Sequence, residues 1–154
     1  DYYIFTSEND FKNKVSNDFF LEHALVHGNF YGTSKDFVET KIAEGINIIL
    51  EIDVQGVQQI KSTNFPHESI FLLPPSIESL TERLNERGTN SKESIELRLS
   101  NAMREIPSCK DYDHILVNDV FEDCCNDLAS IITGEDSFPM NSKKELFLTK
   151  LLNS

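Results

Sequence analysis

Short continuous apolar runs along this chain alternate with stretches in which apolar residues recur every three or four positions. The first run, residues 2–6, predicts a strand. "SENDFKNKV" begins with Ser7 as a cap and acids in its first turn, which predicts a short helix. "FFLEHALV" has a strand-like pattern. "GNFYGTS", residues 28–34, follows neither a helical nor a strand period and is expected to be a loop. Ser34 then caps a helix over about 35–44, which Gly45 ends. "INIILEID", residues 46–53, is a continuous apolar run closing in acids, as in strands buried on both faces of a parallel sheet. "VQGVQQIKS" predicts a helix, and "SIFLLPPS" a second buried strand stopped by two prolines. Ser76 caps a helix over about 77–87. A polar loop, "RGTNSKES", leads into a helix over 91–106. "DHILVND" is a third buried strand. "VFEDCCNDLASII" is a helix with Leu128, Ile131 and Ile132 on its apolar side. "GEDSFPMNS" is a linker, and Ser142 caps a last helix to about Leu152. Strands alternating with helices predict an α/β fold around a mostly parallel sheet. Ligands of such sheets sit at the carboxyl ends of the strands.

Composition narrows the partners. The 154 residues suit one domain, and 39% apolar content is that of a globular chain. No apolar run approaches the roughly 18 to 20 residues that span a bilayer. A net charge of -12 argues against a sequence-independent grip on nucleic acid, which needs a basic face. A small anionic ligand remains compatible with it through a local cluster. Cys109, Cys124 and Cys125 make a poor disulfide framework and have no metal-ligand spacing, which points to a reducing cytoplasm.

Candidate chemistry gathers at two strand ends and in one helix pair. Strand alternation puts Glu51 and Asp53 on one face, and Asn118 and Asp119 close "DHILVND". A carboxylate pair there can hold Mg2+ directly or through water. Equally, strand ends are wet and need no ligand. All four arginines, Arg83, Arg87, Arg98 and Arg104, fall in one short region, whereas the lysines are scattered. Arginine suits bidentate contact with phosphate. This helix-loop-helix could close over a polyphosphate, or it could be a surface pair with Glu82, Glu86 and Glu93 as partners. His23 and His27 lack a metal-site motif around them and read as core or surface histidines.

Six pieces taken together, "DYYIF", "FLEHALVHGNFYGTS", "ILEIDVQGVQQI", "IFLLPPS", "RLNERGTNSKESIELRL" and "ILVND", resemble the guanylate kinase family of bacterial type. The resemblance implies a P-loop nucleoside monophosphate kinase-like fold over 1–154. Its parts would be a GMP-binding subdomain at 1–33, a core at 34–82 and 105–154, and a lid at 83–104 with the Gly88 loop at its tip. It implies transfer of the ATP γ-phosphate to GMP, giving ADP and GDP in purine nucleotide metabolism, with Mg2+ as cofactor. The partners would be these small nucleotides, not nucleic acid or membrane, and the protein a cytoplasmic monomer or homodimer. Carried onto this chain, the resemblance makes Glu22 the acceptor for guanine N1-H and the 2-amino group, and Thr33 the donor to O6. Tyr3 and Tyr31 would bind the GMP phosphate, with Asp53 near guanine and the metal-phosphate centre. Arg83, Arg87 and Arg98 would grip ATP, Arg87 and Arg98 as catalytic groups, with Asn118 on the adenosine side. Glu51 stands where most members have Asp, and would reach Mg2+ through water.

One departure is large. The family's Gly-rich phosphate loop ending Gly-Lys-Ser/Thr and its Thr-Arg-x-Pro-Arg segment do not occur in these 154 residues. The abrupt "DYYIF" start is expected to mark a fragment, and the 154 residues alone are expected to transfer no phosphate. The alternative is a guanylate-kinase-like module that reuses the GMP cleft for phosphopeptides. The retained Arg83, Arg87 and Arg98 oppose it, because a binding module has no need of an ATP lid.

Overall fold

The structure, a computed structural model, describes residues 3–26, 28–86 and 92–134. The chain divides into two compact units, one ending at His67 and the other starting at Glu68.

In the first unit, helix α1 (Glu8–Ser16) starts where its cap predicts, with the Ser7 side chain accepting from the Asp10 amide. Phe11 is the buried residue of α1 and stacks on Phe20 and Phe30, with ring centroids 4.7 and 5.2 Å apart. Strands β1 (Phe20–Val26) and β2 (Asn29–Ser34) pair antiparallel. The stretch expected as a loop is therefore a strand, and its missing period has a cause. Gly28, at φ +82°, makes the turn. The Phe20 ring lies over Gly32, where a Cβ would come within 2.7 Å. A glycine interrupts the alternation because the partner strand fills that space. Phe11→Ala should destabilise this unit by about 3 kcal/mol, the ordinary cost of emptying a buried aromatic site. Urea unfolding followed by circular dichroism checks it; an unmoved midpoint would show that the aromatic cluster is decorative.

Helix α2 (Lys35–Ala43) is capped by Ser34 and stops before Gly45, as expected. Its Val38 joins Leu21 of β1 and Ile60 of α3 (Val54–Lys61) in a core covered by Leu50, Ile52 and Phe65. Two expected strands do not form here. Residues 3–6 and 46–53 have no regular secondary structure. A strand exists through its ladder, and among the described residues neither segment has one. Ile4 and Phe5 are 90% and 94% exposed. The apolar run 46–53 splits instead: Leu50 and Ile52 pack on the core, while Ile46 and Ile49 face out.

In the second unit, β3 (Ile70–Leu73) and β4 (His114–Val117) pair parallel, with Ile70 opposite His114 and Leu73 opposite Val117. Parallel neighbours need a long crossover. Here it is α4 (Ile77–Glu86), α5 (Lys92–Glu105) and a 3-10 turn (Ile106–Asp111). Ser76 caps α4 as expected, its hydroxyl accepting from the Ser79 amide at 3.0 Å. Leu73 and Ile106 form the core with Phe71, Ile77, Ile115 and Val117 packed against them. Asp113 clamps the start of the pair. It accepts from the Ser69 amide at 2.8 Å and the Ser69 hydroxyl at 2.5 Å, and its own amide donates back to that hydroxyl at 3.1 Å.

Burial on both faces does not hold for these strands, since Leu72 is exposed. Helix α6 (Phe121–Thr133) packs on β4 and buries Cys124, with Leu128 and Ile131 half-buried and Ile132 exposed. The α/β content stands. The mostly parallel sheet does not: the described residues hold one antiparallel and one parallel pair. The Gly88 loop, the linker from 135 and the expected helix from Ser142 lie outside the described residues. Among the described residues, no helix is long and apolar enough to cross a membrane.

Candidate functional site

The register of the β1–β2 hairpin builds the first part of the site. Glu22 lies opposite Thr33, and Ala24 opposite Tyr31. Directly opposed residues share a face, and so do residues two apart on one strand. Glu22, Thr33 and Tyr31 therefore stand on one face of the hairpin. Thr33 Oγ1 donates to Glu22 Oε1 at 2.5 Å. Glu22 is only 6% exposed, a rare situation for a carboxylate and one that calls for hydrogen-bond donors. Tyr31 is half open to solvent, at 44%. Tyr3 is exposed in the irregular segment before α1.

His23 packs against the rings of Phe11 and Phe20, as a core histidine does. His27 lies outside the described residues. A hollow of about 180 Å3 beside His23 also touches Asp18, Lys35 and Gln59. Its cation is already taken, because Lys35 is ion-paired with Asp18.

Asp53, expected near guanine and the metal-phosphate centre, has a structural role that the sequence reading missed. It is the N-cap of α3, and its Oδ1 accepts from the Gly56 amide at 2.8 Å. An Asp just ahead of a helical stretch was the available signal. Gln59 was missed as well. Its Nε2 donates to the His23 carbonyl at 2.8 Å, and its Oε1 accepts from the His23 amide at 3.0 Å. Together these contacts hold α3 against β1 beside Glu22. Glu51 is exposed in the segment without regular structure.

The second unit brings together two of the residues expected on the ATP side. Arg83 Nη2 donates to the Asn118 carbonyl at 2.9 Å, and the Asn118 amide donates to the Leu73 carbonyl at 2.8 Å. Both residues thus sit at the carboxyl end of the β3–β4 pair. Arg98 is half-buried on α5, and its Nε is buried with no hydrogen-bond partner among the described residues. Such a donor is costly to leave unmade. Arg104 donates to Ser100 of its own helix at 3.2 Å. Arg87 lies outside the described residues. Among the described residues, none of Arg83, Arg98 and Arg104 is ion-paired with a carboxylate. Arg83, Arg98 and Arg104 are therefore not held by glutamates among the described residues.

Among the described residues, no group of three or more His, Cys, Asp or Glu side chains could cage a metal ion. Exposed Glu51 fits a looser mode, in which Mg2+ is carried by substrate phosphates and meets the protein through water. Burial pushes the Cys109 thiol up from its ordinary range, which suits an inert core position.

Residues 1–135 match the family model of guanylate kinase. The guanylate kinase of Buchnera aphidicola subsp. Acyrthosiphon pisum is 40% identical over 153 residues, covering 98% of this chain and 74% of that protein. The guanylate kinase of Escherichia coli K12 is 44% identical over 136 residues, covering 88% of this chain. The chain spans 65% of the length of that protein, a little under two thirds. The crystal structure of guanylate kinase from Anaplasma phagocytophilum superposes with a TM-score of 0.69 at 32% identity, over 98% of this chain and 72% of that one. The likeness runs through the hairpin, the parallel pair and the arginine-bearing helices alike, and on that ground the chain belongs to the guanylate kinase family.

Proposed function

We propose that this chain carries guanylate kinase chemistry, the transfer of the ATP γ-phosphate to GMP, giving ADP and GDP, in purine nucleotide metabolism in the cytoplasm. The observation that carries the reading is the buried carboxylate of Glu22 under the Thr33 hydroxyl. Guanine offers donors at N1 and N2 and an acceptor at O6. A carboxylate accepts, and a hydroxyl has one proton to give. In the structure that proton goes to Glu22. When guanine arrives, its N1-H and 2-amino group satisfy Glu22, and the Thr33 proton turns to O6. Adenine would place the N1 lone pair against the carboxylate, with nothing to donate in return. Tyr3 and Tyr31 hold the GMP phosphate, and Asp53 shapes the edge of the base site through α3.

Arg83 and Asn118 bind ATP, and Arg87 and Arg98 neutralise charge on the phosphoryl group in flight. Phosphoryl transfer is mostly positioning and charge stabilisation, which suits these groups. Arg98 Nε, buried with no hydrogen-bond partner among the described residues, favours this over a phosphopeptide module, which needs no arginine there. Mg2+, when bound with ATP, neutralises the β- and γ-phosphate oxygens; Glu51 would hold it through water. The substrates are small nucleotides, handled by a monomer or homodimer without nucleic acid or membrane. The test is coupled ADP release by the full-length protein with ATP, GMP and Mg2+. Turnover that depends on GMP is expected, and its absence overturns the reading. The 154 residues alone, which contain no Gly-Lys-Ser/Thr loop, should give none.

A further inference from the structure

We infer that Gly56 is a positioning residue for guanine recognition, acting through the Glu22 carboxylate; this rests on the reading of Glu22 as the guanine acceptor. Gly56 lies inside α3 and is buried. Its φ is not in the left-handed region, so the backbone does not demand glycine. Alanine is also the better helix former. The position therefore has another reason to lack a side chain.

That reason is space beside the carboxylate. A Cβ on Gly56 would lie 3.2 Å from Glu22 Oε2, and 3.2 and 3.3 Å from Cβ and Cδ1 of Ile52. These are tighter than ordinary contacts, so a neighbour must give by a few tenths of an ångström. Ile52 is packed against the Leu21, Val38 and Ile60 core and has little room. Helix α3 is pinned at its start by the Asp53 cap and farther along by Gln59 on the His23 backbone. His23 directly follows Glu22 in β1, so the helix cannot back away without dragging the strand. The group left to yield is the Glu22 carboxylate. Its Oε1 is held by Thr33, so displacement of Oε2 rotates the group. A rotated carboxylate presents its lone pairs off line to N1-H and the 2-amino group, and hydrogen bonds weaken steeply with angle.

The experiment is Gly56→Ala in the full-length protein, with steady-state kinetics for GMP, AMP and ATP beside thermal melting. The KM for GMP should rise about tenfold, as for one weakened hydrogen bond to a charged group, and the preference for GMP over AMP should fall with it. The KM for ATP and the melting temperature should barely move. The double variant Glu22→Asp, Gly56→Ala, whose shorter acid retreats from the methyl, should discriminate better than Glu22→Asp combined with Gly56 crowding would if the two effects simply added. Unchanged GMP kinetics in Gly56→Ala, strict additivity in the double variant, or loss of folding in both overturns the inference, the last because it makes Gly56 a packing position only. A wild-type protein with no preference for GMP instead overturns the assignment of Glu22 itself.

Discussion

Replacing Glu22 by Gln should cut the preference of the full-length protein for GMP over AMP by about a hundredfold or more. The substitution keeps size and shape. It replaces one acceptor oxygen by an NH2 donor, which then faces a guanine donor. It also removes the charge that strengthens both base contacts, and hydrogen bonds to charged groups are worth about 1.5 to 3 kcal/mol each. The loss should fall on GMP and spare AMP, whose N1 lone pair could accept from the new amide. The fold should survive, because Gln can still accept from the Thr33 hydroxyl as Glu22 Oε1 does at 2.5 Å. Competing GMP and AMP turnover, with a thermal melt as control, makes the comparison. A Glu22→Gln protein that still rejects AMP as strongly as the wild type would place guanine recognition elsewhere.

Arg98→Met should lower kcat by about a thousandfold while leaving the KM for GMP nearly unchanged. Charge develops on the phosphoryl group in the transition state, and a guanidinium already in place stabilises it without reorganising. The stability effect runs the other way. The Arg98 Nε is buried and is an unmet donor among the described residues. Methionine keeps much of the stem and removes that donor, so the melting temperature should hold or rise. Arg98→Lys separates charge from shape: it keeps the cation and loses the planar fork, and should recover part of the rate. A large drop in stability with unaltered kcat in Arg98→Met would make this arginine a structural residue.

The hairpin part of the candidate site is carried by one local stretch: Glu22, Tyr31 and Thr33 lie within a dozen positions of one another, and the structure sets them on one face. The reading of that stretch as a guanine site rests on its resemblance to the guanylate kinase family. The arginines stood out by their confinement to one helix pair. Other features are less plain. The family resemblance points to Asp53 as a ligand-side acid, and the structure adds that it caps α3. Gln59 drew no notice, although it ties α3 to the His23 backbone. The Gln59 contact exists only because α3 packs beside β1, whereas the Asp53 cap closes within three residues and is local.

The sequence by itself determined the helices. Ser7, Ser34 and Ser76 each cap the helix that follows, because a cap needs only an oxygen and an amide two or three positions on. It also pointed to "IFLL" and "HILV" as strands through their continuous apolar runs between turn signals, although it is their pairing with each other that makes them so. Only the tertiary structure decided the rest. "NFYGTS" is a strand because β1 supplies its ladder, with the Phe20 ring filling the space above Gly32. Residues 46–53, with the stronger strand pattern, are not one, because among the described residues no backbone pairs with them. Helix hydrogen bonds close within four residues and are written locally, whereas a strand is completed by a partner from elsewhere in the chain, which no local pattern names.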